Sequence, residues 1–398
     1  MPRSTSTRSD ARTRTLEARF HARLDEIDAD AWNALRPDDN PFLDHAFLAG
    51  LERHGCLDAR RGWRAHHLSL YEGERLVAAA PLYLKNNSHG EFVFDWSWAH
   101  AYSQHGLDYY PKLLCAVPYS PVTGPRLLVG GDGDAEALRY ALITAMRGEA
   151  QRLQLSSAHL NFAADADVAA FAGNDWLARF DWQFHWRNRT AADGGWRDFE
   201  EFLAALSHKK RENIRQERAR VARAGVACEV RHGDELDDEE WDALHAFYLA
   251  TFDDKGNYPA LTLAFFRHLG RVLPRKLVAV LCRRDGRLIA GTLMLRSSTT
   301  LYGRYWGCLE QIEGLHFEAC YYQGIEYCLR EGLTTFEPGA QGEHKLARGF
   351  LPTKTHSFHW IADPRFRAAI ADALKHEARG LDDYCEDLLE HSPYAERP

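Results

Sequence analysis

The sequence predicts an α/β protein of two similar halves, each with a mixed, largely antiparallel sheet flanked by helices. Two observations carry this reading. A hairpin pattern occurs twice, 212 residues apart, and the chain between the copies has no proline from Arg126 to Tyr258, so long helices can form there. A length of 398 residues suits two or three domains and excludes one small motif module.

Taken in order, Met1 to Arg23 holds six arginines among Ser and Thr but no apolar core like that of a secretory signal. Residues 1–14 are expected to be a disordered tail. Glu26 to Leu35 and Asp44 to His54 space their apolar residues as helices do, with Asp44 at an N-cap position after Pro41. Arg64 to Leu70 and Arg75 to Leu84 are β-prone runs joined by Tyr71-Glu72-Gly73-Glu74, where the glycine supplies a positive φ. Lys276 to Arg283, the turn Arg284-Asp285-Gly286 and Arg287-Leu288-Ile289-Ala290-Gly291 repeat the pattern, the last run matching Arg75-Leu76-Val77-Ala78-Ala79. An aromatic strand is expected after each hairpin, at Glu91 to Trp96 and at Thr300 to Trp306. Helices are expected over Ala135 to Leu153 and Asp198 to Ala224, and the soft stretch Thr190 to Gly195 places a joint between domains 15–192 and 193–398. Strands near Leu333 to Phe336 and Thr355 to Ile361, then a helix from Pro364 to about Leu389, close the chain.

Composition narrows the class. With 57 acidic against 49 basic residues the net charge is −8, so whole-protein charge would not drive nucleic-acid binding and no DNA partner is expected. Hydrophobic residues make up 45%, without the ~18 uninterrupted apolar residues of a membrane span, so a globular protein without a span is expected. Eight scattered cysteines with no CxxC pair suggest neither a zinc ribbon nor a disulfide framework, which fits the reducing cytoplasm. His356 and His359 would lie on opposite faces of a strand, so no metal is assigned.

Four segments concentrate polar chemistry. The densest is Phe336 to Phe350, where Glu337, Gln341, Glu343, His344, Lys345 and Arg348 surround three flexible glycines, a composition able to bind an anion and move a proton. Next, Arg304, Tyr305 and Trp306 precede His316, Glu318 and Tyr322. A helix beginning near Leu315 would put His316 and Glu318 in its first turn and Tyr322 on the face of Glu318. The third is a helix from Ser207 to Arg223 with seven Lys or Arg against two Glu, opening on Lys209, Lys210 and Arg211, which can grip a pyrophosphate, sugar nucleotide or tRNA. The fourth runs from Trp98 to Arg126 through His105, Tyr109 and Lys112, its aromatics and prolines walling a groove for a polar ligand. Walker, GxSxG, HExxH and Rossmann GxGxxG motifs are missing, which weakens the NTPase, α/β-hydrolase, zincin and dehydrogenase readings.

With Leu206 to Arg211, Gly303-Arg304-Tyr305-Trp306-Gly307, His316-Phe317-Glu318 and Glu337-Pro338-Gly339-Ala340-Gln341-Gly342-Glu343-His344-Lys345, the chain resembles the FemAB-like peptidoglycan biosynthesis/recognition family of N-acyltransferases from about Phe42 onward. The resemblance implies two tandem GNAT-like domains around a central cleft. It also implies acyl or aminoacyl transfer to an amine of a small or cell-wall-related acceptor, with acyl-CoA or aminoacyl-tRNA as co-substrate and no tightly bound cofactor. Such chemistry needs a base and donors for the oxyanion of a tetrahedral intermediate. Glu318, Glu337 or Glu343 would be the base, Tyr305 or Tyr322 an acid or oxyanion donor, and His344, Lys345 and Arg348 the anion-binding groups. The turn after Trp306 reads Gly307-Cys308-Leu309-Glu310-Gln311-Ile312-Glu313-Gly314 rather than the usual Gln/Arg-x-x-Gly-x-Gly/Ala pyrophosphate loop of acetyltransferases. A noncatalytic protein that keeps the cleft to recognise a muropeptide or sugar nucleotide is the alternative.

Overall fold

The structure is a computed structural model that describes residues 15–131, 134–188, 195–255, 258–340 and 342–395. The expected tail, most of the expected joint, and Gln341 lie outside the described residues. Its strands are β1 (Leu16–His21), β2 (Trp63–Ala65), β3 (His67–Glu72), β4 (Arg75–Ala80), β5 (Leu82–Lys85), β6 (Lys112–Cys115), β7 (Leu128–Val129), β8 (Ser157–Asn161), β9 (Leu177–Arg187), β10 (Val226–His232), β11 (Leu277–Arg284), β12 (Arg287–Arg296), β13 (Thr300–Cys308), β14 (Thr335–Glu337) and β15 (Leu351–Ile361).

Four strands form a small sheet in the order β1-β3-β4-β7, and eleven form one that runs through both halves, β10-β11-β12-β13-β14-β9-β15-β8-β6-β5-β2. Read outward from the antiparallel pair β9–β15, both directions meet the same pattern. An antiparallel neighbour comes first, β14 on one side and β8 on the other. A parallel strand is next, β13 or β6, and then an antiparallel hairpin. Each half thus lends its last strand to the other: β9 lies beside β14, and β15 beside β8.

The duplicated hairpin is present down to its irregularities. The register shifts between Leu70 and Tyr71 in the first copy and between Cys282 and Arg283 in the second, positions that are again 212 residues apart. Asp285 and Gly286 both take positive φ, 51° and 77°, as a two-residue hairpin turn demands. The copies differ in that the first hairpin splits over two sheets. Pro81 cannot donate to a ladder, and the pairing passes from β3–β4 to β2–β5 at that point.

Several expectations are corrected. Glu91 to Asp95 is a loop and Trp96 opens the helix Trp96–Gln104. Phe92 has φ 60°, and the Glu91 and Asp95 carboxylates turn inward to a lysine instead of alternating along a strand. The single helix expected over Asp198 to Ala224 is two, Phe199–Ala205 and His208–Arg223, because Leu206 bridges to Tyr394 and the Ser207 N–H donates to Pro393 O (2.8 Å). The proline-free middle also contains β8, β9 and β10 beside its helices. Other expectations match closely: Thr300 to Trp306 lies within β13, and helices span His45–Arg53, Ala135–Arg152 and Pro364–Glu390. Asp44 caps His45–Arg53 by accepting from the Ala46 N–H (3.0 Å). The segment before residue 57 packs on the C-terminal half, where Phe42, Phe47 and Leu48 share a core with Leu244, Phe265 and Leu293. Asp39 fastens the same contact by accepting the Ser298 N–H (3.0 Å).

Candidate active site

The parallel pair β13–β14 is short for a reason written in its sequence. Pairing runs from Thr300↔Thr335 to Tyr302↔Glu337 and then meets Pro338, which has no N–H to continue the ladder. Gly303 lets that proline pass: a Cβ there would sit 3.2 Å from Pro338 Cα. Gly339 and Gly342, at φ 100° and 115°, turn the chain into the short 3₁₀ helix Glu343–Arg348, while β13 runs on to Cys308. The two strands diverge there as a wedge, and Glu337 and Arg304 meet a buried turn of the N-terminal half, Val117 to Arg126, with Lys345 near Arg304.

Glu337 is buried, accepts from the Thr123 backbone N–H, and leaves Oε2 without a hydrogen-bond partner among the described residues. Burial pushes its carboxyl up to about 7, against the pull of that N–H and of Arg304, Arg126 and Arg187. Lys345 is buried too, and its Nζ donates to Gly339 O at 2.6 Å. Burial, with Arg304 nearby, brings its amine down to about 7. Arg304 donates to Tyr119 O (3.0 Å), tying β13 to the opposing turn, and its Nε has no partner among the described residues. Ser120 Oγ, Thr123 Oγ1 and two Arg126 nitrogens are likewise buried and unpartnered among the described residues. Buried polar atoms are ordinarily paired, so such a concentration marks a place built for a polar guest or water. His185, on β9, is held neutral by burial and by the charges of Arg187 and Lys345, its pKa pushed down to about 3.

The rest of the Phe336 to Phe350 segment braces Lys345. Arg348 donates to Glu217 (2.6 Å), to Tyr322 Oη (3.1 Å) and to His344 O (2.7 Å), and its guanidinium lies 3.3 Å from the centre of the Phe317 ring. Tyr322 donates to Glu217. The exposed His344 ring meets Tyr321 Oη (2.8 Å), and Glu343 accepts from Tyr384 (2.7 Å). The His316 ring meets Trp306, Tyr321 and His344 edge-on. Tyr305 packs on Tyr248 and Phe266, and burial raises its phenol pKa.

Glu318 lies in a π turn, Glu318–Tyr322, between two helical stretches, and accepts from Arg218 (3.0 and 3.1 Å) and Gln323 (2.8 Å). Arg218 also holds Glu326 (2.7 Å), and Arg218, Glu318 and Gln323 border an open pocket of about 310 Å³ with Ala219, Val226 and Cys228. Much of the basic stripe is spent in this way: Arg215 pairs with Glu200, Arg218 with Glu318 and Arg220 with Glu313. Lys209, Lys210 and Arg211 stand outside these pairs at the helix start, with Lys209 exposed.

His105, Tyr109 and Lys112 lie apart from the wedge. His105, exposed, ends the helix Trp96–Gln104 and meets Ala101 O (2.9 Å). Lys112 is fully buried, donating to Glu91 (2.8 Å), Ser88 (3.1 Å) and Asp95, and Tyr109 donates to the same Asp95 (2.6 Å). Beyond them His159 and His359 share a hydrogen bond between their Nδ1 atoms (2.7 Å).

The sequence reading passed over His185, an ordinary residue whose role depends on strand exchange. It also passed over Glu217, which carried a signal as one of two acids among seven basic residues.

Residues 23–396 match the FemAB-like family, described as peptidoglycan biosynthesis/recognition, and the chain belongs to that family. No curated protein matches it. Among solved structures it is similar to FemX, at 12% identity and a TM-score of 0.51, over 89% of this chain and 100% of that one. It is similar at the same identity and score to the C-terminal domain of a putative lysylphosphatidylglycerol synthetase from Agrobacterium fabrum, over 87% of this chain and 95% of that one. A tandem GNAT protein of the clavulanic acid biosynthesis pathway overlaps 88% of the chain at 14% identity and a TM-score of 0.46. The fold is that of two tandem GNAT-like domains with mixed, largely antiparallel sheets. Among the described residues no helix is long and apolar enough to cross a membrane.

Proposed function

We propose that the protein transfers an aminoacyl group from the ester of a charged tRNA to an amine of a cell-wall precursor, with Glu337 as the base. The observation that carries this reading is a buried carboxyl with an unpartnered oxygen and a buried amine held only by a carbonyl, neither in an ion pair among the described residues and both near the Arg304 guanidinium where β14 ends. The amine nitrogen attacks the ester carbonyl and gives its proton to Glu337 Oε2, forming the new C–N bond. Lys345, charged, and Arg304 steady the oxyanion that develops. Collapse breaks the C–O bond, and the proton leaves with the tRNA hydroxyl. Arg348, fixed by Glu217 and Tyr322, positions the turn that carries Lys345.

Two features favour an aminoacyl ester over acyl-CoA. The turn after β13 bears Glu310 and Glu313, paired with Arg284 and Arg220, where a pyrophosphate cradle would need free N–H groups or cations. At the start of the helix His208–Arg223, Lys209, Lys210 and Arg211 lie outside ion pairs among the described residues. Membership of the FemAB-like family supports transfer in cell-wall synthesis at this coarse level. Single-turnover assays with charged tRNA or acetyl-CoA, each with a muropeptide bearing a free amine, test the reading. Product from charged tRNA alone is expected. Product from acetyl-CoA alone overturns the donor, and saturable muropeptide binding without product from either would make this a binding protein.

A further inference from the structure

A second chemical feature lies outside the wedge. Cys228 on β10 and Cys282 on β11 are directly opposite in the antiparallel register, and their Sγ atoms are 3.5 Å apart. Directly opposed residues of an antiparallel pair have Cα atoms about 4.5–5.5 Å apart, inside the range of roughly 4.4–6.8 Å that a disulfide accepts. Both residues are thiols here. Their environments differ in a useful way. Cys228 is half-buried on an edge strand and lines the open pocket of about 310 Å³ beside Arg218 and Glu318, whereas Cys282 is sealed in the core. One thiol is reachable by a small oxidant, and the other waits behind it.

We propose that Cys228 and Cys282 form a peroxide-sensitive dithiol, in which Cys228 is the sulfur attacked and Cys282 the sulfur that resolves it into a cross-strand disulfide. In the first step the Cys228 thiolate takes one oxygen of hydrogen peroxide, breaking the O–O bond and giving a sulfenic acid and hydroxide. In the second, Cys282 sulfur attacks Cys228 sulfur; the S–O bond breaks and the departing oxygen leaves as water with the Cys282 proton. Overall two thiols lose two protons and two electrons, and these convert peroxide into two waters. The contact with Cys228 and then burial raise the Cys282 thiol pKa, and with its place sealed in the core this keeps it inert towards peroxide, consistent with a resolving rather than an attacking role. Cys320 has electrostatic contact with both partners and is the natural competitor.

The test is intact-mass and peptide mapping of the full chain after brief treatment with dilute hydrogen peroxide, with and without later reduction by dithiothreitol. A loss of 2 Da, reversed by reductant, and a linked pair of peptides containing Cys228 and Cys282 are expected. Cys320→Ser should retain the bridge and Cys228→Ser should lose it. Cys282→Ala should halt at a Cys228 sulfenic acid that a dimedone probe captures. A Cys228–Cys320 link, an unchanged mass under conditions that oxidise a free-thiol control, or the same 2 Da loss in Cys228→Ser would each overturn the proposal. Alkylation of the native protein by iodoacetamide checks the assigned order independently of folding in the variants: Cys228 should be labelled well before Cys282, and equal or reversed labelling contradicts it.

Discussion

The two parallel strand pairs, β6 with β8 and β13 with β14, hold the same place in the two halves and part in the same way, yet the chain beyond each pair takes a different course. Past Cys115 and Leu160 the N-terminal chain loops through Val117 to Thr123 and returns, Gly124 bridging to Ala163 in parallel, so the gap is refilled by its own largely buried segment. Past Tyr302 and Glu337 the C-terminal pair meets Pro338 and two positive-φ glycines, and the ladder is not rejoined among the described residues. Ionisable groups differ in parallel. Lys112 is matched by Glu91 and Asp95 at hydrogen-bond distance, although Glu91 Oε1 itself has no hydrogen-bond partner among the described residues, whereas Glu337 and Lys345 enter no ion pair among the described residues and Lys345 has only a carbonyl. One duplicated frame therefore ties a buried lysine to two carboxylates in one half and leaves a buried carboxyl and a buried amine outside ion pairs in the other.

The sharpest way to break this comparison is to neutralise each half in turn. Glu337→Gln keeps the shape and removes the base, and transfer should fall by about 10²–10⁴-fold with the melting temperature nearly unchanged. Lys112→Met should do the reverse, leaving two buried carboxylates short of their cation at a cost of roughly 3–5 kcal/mol in urea unfolding, with turnover per folded molecule kept. Lys345→Met should lower kcat by about 10²–10³-fold with little loss of stability. The smallest effect is structural: Gly307→Ala would put a Cβ 1.9 Å from Phe247 O, where the helix Asp238–Lys255 crosses β13. A cost of about 1–3 kcal/mol is expected in the same unfolding measurement. If Lys112→Met lost activity without stability, or Lys345→Met lost stability without activity, the contrast between the halves would collapse.

Much of this frame was legible in the sequence. The hairpin repeat, the Asp44 cap and the helix from Pro364 arise from local patterns that the structure reproduces. The Phe336 to Phe350 segment stood out because Pro338, Gly339 and Gly342 announce a chain leaving its sheet among charges. What local pattern could not show was exchange. β9 and β15 each complete the other half's sheet, so His185 reaches the C-terminal wedge although it is encoded in the N-terminal half. Nor does composition distinguish Lys112 from Lys345, since that difference depends on whether Glu91 and Asp95, in a loop read as a strand, fold back onto the amine. Glu318 and Glu337 were equal candidates as base in the sequence. The structure separates them, because Arg218 and Gln323 engage both Glu318 oxygens while Glu337 Oε2 stays unpaired among the described residues.

The most direct test of the C-terminal wedge as the reacting centre is the pH dependence of single-turnover aminoacyl transfer. Glu337 accepts a proton only when ionised, so the rate should rise as pH passes about 7. Lys345 steadies the oxyanion only while charged, so the rate should fall as the amine loses its proton in the same region. A narrow bell centred near 7 is the predicted result. Glu337→Gln should abolish its acid limb, and Lys345→Arg should extend its alkaline limb upward. A profile flat across about pH 6–8, or an acid limb that survives unchanged in Glu337→Gln, would contradict the assignment of the base.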